Sequence, residues 1–292
     1  LIDIYVEKFR PQTINDIVLS EKYYSIFNEM ILNKRLSGNL LFFGKPGIGK
    51  TTLAKILARE VASDFLFLNA SDERNLDLVR TRIKNFAEMQ SMDPNSLKIV
   101  LLDEVDGLSG MAQEALKSFI EIYSNCIRII ATCNLVQKVI PALISRFQTF
   151  EFQPLSKEQS IQYIRNKILI PEKIEFSDQD LEKLYQTSFG DLRKVINNLQ
   201  KSIIRGKLVL VDNDLLHEFG KVFKEKNIET LKKFLSENTV DFMQIYRFMF
   251  DKINNPKVLK LIADYTYRDG FVLDKEINFV AFCLSLWEIP EK

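Results

Sequence analysis

The stretch Gly44-Lys45-Pro46-Gly47-Ile48-Gly49-Lys50-Thr51 constrains this chain more than any other. It satisfies G-x-x-x-x-G-K-[ST] at every fixed position, the pattern of a loop that cradles a polyphosphate. An apolar run, residues 40–43, leads into it and a helix-like run, residues 52–58, leaves it. That strand–loop–helix context is what the pattern requires. Glycines let backbone N–H groups turn toward phosphate oxygens without a Cβ in the way. The helix N-terminus adds partial positive charge. Lys50 supplies a point charge for the β- and γ-phosphates, and the Thr51 hydroxyl is placed as a Mg²⁺ ligand. A Gly/Pro turn with a chance Gly-Lys-Thr would have neither flank, so the reading is nucleotide binding.

Two domains with real cores fit in 292 residues. With 40 Lys+Arg against 39 Asp+Glu, the formal charge of +1 gives no bulk attraction to nucleic acid. Any such binding must come from a local patch or an assembly. Cys126, Cys133 and Cys283 lack metal-ligand spacing, and a low, odd count suits a reducing cytoplasm. His217 is the only histidine, which excludes His-based metal sites and Ser-His-Asp catalysis. No uncharged apolar run approaches the roughly 18 residues of a membrane span, and the N-terminus does not read as a signal peptide. A cytoplasmic protein with no membrane partner is expected. The chain begins at Leu1 rather than Met, so some leading residues are expected to be missing.

Residues 1–153 read as α/β. Strand-sized apolar segments at 40–43, 65–68, 99–102, 127–132 and 149–152 alternate with helix-period stretches, which predicts a five-stranded parallel sheet with flanking helices. Ligands bind such sheets at strand C-termini. From Pro154 the pattern turns all-helical. Ser156 with Gln159, and Ser177 with Asp180, look like N-terminal capping boxes, and Leu192, Val195, Ile196, Leu199 and Ile203 mark one helix face. Residues 154–222 are therefore expected to form a small helical domain. Residues 223–292 are helical too, but Phe242, Ile245, Tyr246, Phe248, Met249 and Phe250 leave little polar face, and Phe279 to Trp287 repeat this. Helices apolar nearly all round must be buried, in an ordinary core or against other subunits; a short terminal domain does so more easily against subunits.

Strand 99–102 runs into Asp103 and Glu104. In phosphate-loop ATPases the first such carboxylate holds Mg²⁺ and a neighbour positions the attacking water. Asn134 follows the next apolar run, where its amide would reach the γ-phosphate or the water, unless it is a turn or cap residue. Arg146 has the chemistry to stabilise a transferring phosphoryl group, from its own chain or a neighbour, but pattern alone favours a surface arginine. Arg193, early in a helix, would either reach the phosphates or sit on a solvated face. Arg80 and Lys84 share a helix face at i, i+4; they suit nucleic-acid phosphates, although such pairs are usually a solvated face.

In this order the motifs resemble the AAA+ ATPase subunits of clamp loaders. Lys8-Phe9-Arg10-Pro11 is similar to the family's K-Y-R-P element, Asn69-Ala70-Ser71-Asp72-Glu73-Arg74 to its N-A-S-D-E-R stretch, and Asp103-Glu104-Val105-Asp106 to its D-E-x-D box. Ser145-Arg146 resembles the S-R-C motif, and Gly190-Asp191-Leu192-Arg193 the sensor-2 motif. The resemblance covers residues 5–205. Chain length and the aromatic C-terminal segment look most like T-even-type phage loaders, with archaeal and eukaryotic small subunits close behind. Phe147 stands where the family has Cys, and Phe9 where it has Tyr; each catalytic position is filled.

The resemblance implies an AAA+ domain, a helical lid and a helical collar that holds subunits together. It implies ATP and Mg²⁺: Val6, Glu7, Lys8, Phe9 and Val18 at the adenine end, and Gly47, Ile48, Gly49, Lys50, Thr51 and Thr52 on the phosphates, with Thr51 and Asp103 on the metal. Asp103 and Glu104 would be the Walker B pair, Asn134 sensor 1, Arg193 sensor 2 in cis, and Arg146 a finger acting on a neighbour's ATP. Arg80, Lys84, Ser109 and Gln113 would face the template strand, and Phe86, Met89 and Met92 a ring-shaped sliding clamp. The expected assembly has five subunits, four copies of this chain and one noncatalytic partner, acting on primer-template DNA. The rival expectations are a subunit that holds ATP without hydrolysing it, and a branch-migration motor. Residues 226–292 carry 10 Lys or Arg and 10 Asp or Glu, a neutral segment that suits a collar better than a DNA-engaging terminal domain.

Overall fold

The computed structural model describes residues 4–62, 64–70, 76–89, 98–188, 191–208, 214–238, 240 and 242–289. Residues 71–74 of the N-A-S-D-E-R stretch, Met92 and Gly190 lie outside the described residues, as do the side chains of Val79, Arg80 and His217. The chain divides into two compact units, Leu1–Val209 and Leu210–Lys292.

In the first unit, strands β1 (Leu40–Phe43), β2 (Asp64–Asn69), β3 (Lys98–Asp103), β4 (Ile127–Cys133) and β5 (Gln148–Glu151) form one sheet in the order β2-β3-β4-β1-β5. Every pairing is parallel. A parallel sheet is covered on both faces, so its central strands are apolar throughout, and the period of two sorts their residues between two cores. Leu40, Phe42, Ile99, Leu101 and Ile130 face one way, against α2 (Glu21–Leu32) and α3 (Lys50–Val61). Leu41, Val100, Leu102, Ile129 and Ala131 face the other, against α4 (Leu76–Glu88), α5 (Gly110–Ile122) and α6 (Pro141–Ile144). Phe27 anchors the first core, with ring centroids 5.4 Å from Phe42 and 4.9 Å from Phe150. A short helix α1 (Tyr5–Lys8) precedes all of these.

The unit continues with α7 (Lys157–Ile164), a π-helical stretch at Arg165–Leu169, α8 (Asp178–Ser188) and α9 (Leu192–Lys201). The Ser156/Gln159 capping box is present, and Ser177 Oγ accepts the Asp180 N–H at 3.1 Å. This region is not all-helical, however. Helix α9 ends at Lys201, and Ile203, expected on its apolar face, lies in a two-stranded hairpin of β6 (Ile203–Ile204) and β7 (Lys207–Leu208). Arg205 and Gly206, at φ 51° and 79°, supply the two left-handed residues that a tight hairpin turn needs.

The second unit contains α10 (Asp214–Lys224), α11 (Ile228–Glu237), α12 (Phe242–Lys252), α13 (Pro256–Asp269) and α14 (Lys275–Trp287). It begins earlier than the boundary expected after residue 222, because Phe219 packs on Phe279 at 5.6 Å and belongs to this core. Phe279, Phe282 and Cys283 are fully buried. The all-round burial expected of α12 is not met within the chain: Met243, Phe248 and Phe250 are 46%, 42% and 47% exposed.

Phe27→Ala is expected to destabilise the first unit by about 3–5 kcal/mol, the usual cost of emptying a fully packed aromatic position. Urea unfolding followed by circular dichroism measures this, and an unchanged midpoint would contradict the anchoring role.

Candidate functional site

The C-terminal ends of β1, β3 and β4 meet the N-terminus of α3 at one cleft. The loop 46–52 forms its floor; Asp103, Glu104, Thr132 and Asn134 reach it from the strand ends. Val6, Phe9, Arg10, Pro11, Ile17 and Val18 line the opposite end, and Leu155, Tyr163, Leu192, Arg193 and Ile196 complete it from the helices that follow the sheet. Gly44 opens the loop at φ 140°, where a Cβ would lie 2.4 Å from the Phe152 carbonyl oxygen, so only glycine lets β1 turn here.

Lys50 is 6% exposed. Its Nζ donates to the carbonyls of Gly44 (2.8 Å) and Lys45 (2.7 Å) and to Asn134 Oδ1 (2.9 Å), which uses all three ammonium hydrogens. Burial holds its pKa below the ordinary lysine value, while the Asp103 and Asp106 carboxylates act the other way. Burial pushes the neighbouring Cys133 thiol up to about 12, so it stays neutral at neutral pH. Asn134 is therefore a site residue rather than a bare turn residue.

Asp103 Oδ1 accepts from Thr51 Oγ1 at 2.7 Å and from the Thr132 hydroxyl. Thr132 Oγ1 in turn accepts the Glu104 N–H at 3.1 Å. Glu104 has φ 57°, a left-handed conformation that costs a non-glycine residue about 1–2 kcal/mol and persists where the surroundings over-determine it. Asp106 Oδ2 accepts the N–H groups of Asn134 (3.2 Å) and Leu135 (3.0 Å). Its Oδ1 is buried without a hydrogen-bond partner among the described residues. Among those residues no group of three or more His, Cys, Asp or Glu could hold a metal. The Thr51–Asp103 oxygen pair instead fits a hard cation that keeps most of its own waters, as Mg²⁺ does.

The cleft gathers Val6, Phe9, Val18, Gly47, Ile48, Gly49, Lys50, Thr51, Thr52, Asp103, Glu104, Asn134 and Arg193 from the expected set. Glu7 and Lys8 are not in its wall. Their side chains are drawn off to Arg10 (2.6 Å) and Glu172 (2.8 Å). Arg146 also lies off the cleft, where its guanidinium binds Glu121 Oε1 at 2.5 Å and Ser145 Oγ at 2.9 Å. That hydrogen bond holds the exposed Glu121 carboxyl below its ordinary range. Lys84 is exposed, 3.9 Å from Glu88, and Ser109 is the exposed N-cap of α5, accepting the Ala112 N–H at 3.2 Å. Gln113 does not face outward as expected. It is 2% exposed, and its amide donates to the carbonyls of Leu108 (3.1 Å) and Lys138 (3.0 Å) and accepts the Ile140 N–H (2.8 Å). It braces the α5 N-terminus against the segment after β4. Of the expected clamp-facing residues, Met89 is 64% exposed and Phe86 is partly buried against the core.

Sequence reading missed Thr132, Asp106 and Tyr163. Thr132 was the one hydroxyl in an apolar strand, a usable signal. Asp106 lies within the D-E-x-D box, where the pattern alone assigns it no role. Tyr163 offered no signal; its hydroxyl donates to the Phe9 carbonyl at 3.0 Å, and burial pushes its pKa up to about 12.

Residues 40–155 match the family model described as "ATPase family associated with various cellular activities (AAA)". The replication factor C small subunit of Sulfurisphaera tokodaii is 38% identical, over 99% of this chain and 96% of its own. The replication factor C small subunit 1 of Pyrobaculum islandicum is 30% identical, over 99% and 95%. Among solved structures, the RuvB Holliday junction branch migration motor of Thermotoga maritima aligns with a TM-score of 0.58, at 20% identity, over 96% of this chain and 85% of that one. That likeness concerns the fold alone. Full-length identity at this level, with the ATPase domain at its head, means that the chain belongs to the replication factor C small-subunit family of AAA ATPases.

Proposed function

We propose that this chain is an ATPase subunit of a clamp loader for DNA replication, one that binds ATP to open a ring-shaped sliding clamp and hydrolyses it to release the clamp on primer-template DNA. The observation that carries this reading is a division of labour: Lys50, Thr51, Asp103, Glu104, Asn134 and Arg193 share one cleft, while Arg146 lies off it. A site that holds everything except its finger arginine suits completion by a neighbouring subunit.

Lys50 would exchange its two carbonyl partners for phosphate oxygens while keeping Asn134, which orients it. The apolar end formed by Val6, Phe9, Ile17 and Val18 would take the base. Thr51 and Asp103 would hold Mg²⁺, which supplies charge neutralisation of the β- and γ-phosphates when bound. Glu104 would orient the attacking water and take its proton, with its backbone held by Thr132. Arg193 would meet the γ-phosphate from the same chain, and Arg146 would leave Glu121 to meet the phosphate of the adjacent subunit.

The wider reading keeps four copies and one noncatalytic subunit in a five-membered ring. The partly exposed Met243, Phe248 and Phe250 support a collar contact. The aromatic C-terminal segment also supports a phage-type likeness, although the relatives above are archaeal. No helix among the described residues is long and apolar enough to cross a membrane, which suits work in the cytoplasm. Lys84, Arg80 and Ser109 remain the proposed DNA-facing residues. A non-hydrolysing subunit would not need Glu104 and Asn134 beside Lys50, and the neutral C-terminal segment weighs against a branch-migration motor.

Arg146→Ala is expected to leave nucleotide binding by the assembled complex intact and to cut DNA-stimulated turnover by about 10³-fold or more; unchanged turnover would reject the trans role. Thr132→Val removes one hydroxyl from the Asp103–Glu104 link, and losing a hydrogen bond that leaves a polar group unmet costs about 1–3 kcal/mol. Turnover should fall about 10- to 100-fold with little change in nucleotide affinity. An equal loss of affinity and turnover would instead make Thr132 a binding residue.

A further inference from the structure

Asp191 does two things at once. As the N-cap of α9 its Oδ1 accepts the Lys194 N–H at 3.1 Å. The same carboxylate also lies on the phosphate loop: a Cβ on Gly47 would be 2.2 Å from Asp191 Oδ1, 2.7 Å from Cγ and 3.0 Å from Oδ2. Gly47 has φ 75°, a left-handed conformation that favours glycine, and any side chain there would have to displace the Asp191 carboxylate. The next two residues, Leu192 and Arg193, line the cleft. An acid is thus held against the one loop in the chain built to receive phosphate.

Capping alone does not call for this charge at this place. Asn and Ser cap a helix about as well as Asp. A negative group beside a bound polyphosphate repels it, and the repulsion grows with the ligand's charge. ATP carries one more negative charge than ADP, and the difference lies at the γ-phosphate. Arg193, two residues along, carries the opposite charge into the same cleft.

We infer that Asp191 is a specificity-determining residue that weakens triphosphate binding more than diphosphate binding, so that the preference of the phosphate loop is set by Asp191 and Arg193 in opposition. The inference rests on the nucleotide-binding reading above. Its consequence is mechanical as well. Adding the γ-phosphate loads the contact between α9 and Gly47, so the position of that helix depends on which nucleotide is held.

The test is calorimetry on the full chain with Mg²⁺ and either ATPγS or ADP, comparing wild type with Asp191→Asn and Asp191→Ser, both neutral caps. Each variant should bind ATPγS about 5- to 10-fold more tightly and ADP no more than about twofold more tightly, and the gain should shrink at about 0.5 M salt as screening removes the repulsion. Unchanged affinities, or equal gains for both ligands, would overturn the inference while leaving the phosphate-loop reading in place. A gain confined to Asn would come from its amide donors and would also overturn it. If the wild type bound neither ligand, or Lys50→Ala bound them as well as wild type, the phosphate-loop reading itself would fall and the inference with it.

Discussion

A buried ammonium must be fully hydrogen-bonded, and the way Lys50 meets that demand organises the site. Two of its acceptors are carbonyls of its own loop and the third is the Asn134 amide at the end of β4. The loop cannot supply those carbonyls unless β1 turns sharply at Gly44, against the Phe152 carbonyl just beyond β5. Asn134 cannot supply its oxygen unless β4 ends in register with β1, and Phe43 and Cys133 are paired partners. One lysine thus ties together three neighbouring strand ends. Leaving a buried donor unmet costs about 1–3 kcal/mol, and more for a charged group, so this geometry is held by energies that matter against a marginal fold.

The second layer works through Asp103 and Asp106, which sit at opposite ends of one short turn and do different work. Asp103 collects two hydroxyls, Thr51 from α3 and Thr132 from β4, and Thr132 fixes the strained backbone of Glu104. Asp106 holds the main chain of Asn134 and Leu135. The two carboxylates therefore set two elements that face the same ligand space. Gln113 extends this outward by bonding both the start of α5 and the segment at 138–140. A displacement at the end of β4 would be felt at α5 through an amide that has no slack.

The central strands β1, β3 and β4 were legible because parallel strands buried on both faces appear as nearly unbroken apolar runs; the edge strands β2 and β5 are partly exposed, yet the observed limits of all five fall within about a residue of the expected ones. Lys50, Thr51, Asp103 and Glu104 were legible because their spacing is dictated by the ligand rather than by the fold. Thr132 was hidden for the opposite reason: its role depends on which neighbour lies across the sheet, and Asp103 comes from a different strand. Gln113 misled because a polar residue at a helix start looks exposed until its three backbone partners, far apart in sequence, are assembled around it. Ile203 misled because it continues the spacing of α9, and the turn at Arg205-Gly206 overrides that periodicity. Glu7 and Lys8 carry charge that finds carboxylate or guanidinium partners before it finds a base.

Those two residues belong to a wider pattern. The N-terminal segment that lines one end of the cleft is fastened to the helices after the sheet at four points: the Tyr5 N–H to Gln200 Oε1 (2.9 Å), Lys8 to Glu172 (2.8 Å), the Tyr163 hydroxyl to the Phe9 carbonyl (3.0 Å) and Lys167 to Asp16 (2.8 Å). Lys167 and the Thr13 hydroxyl hold the Asp16 carboxyl below its ordinary range. Each contact alone is modest, and the exposed ion pairs contribute little. Spread along a dozen residues, they join the segment to those helices, while Ile14 packs into the core under the sheet and Gln12 and Asn15 bond Arg59 of α3 and Tyr24 of α2. The cleft is thus bounded, within one compact unit, by a floor at the strand ends and by a wall in which the N-terminal segment is joined to the helices that carry Asp191 and Arg193.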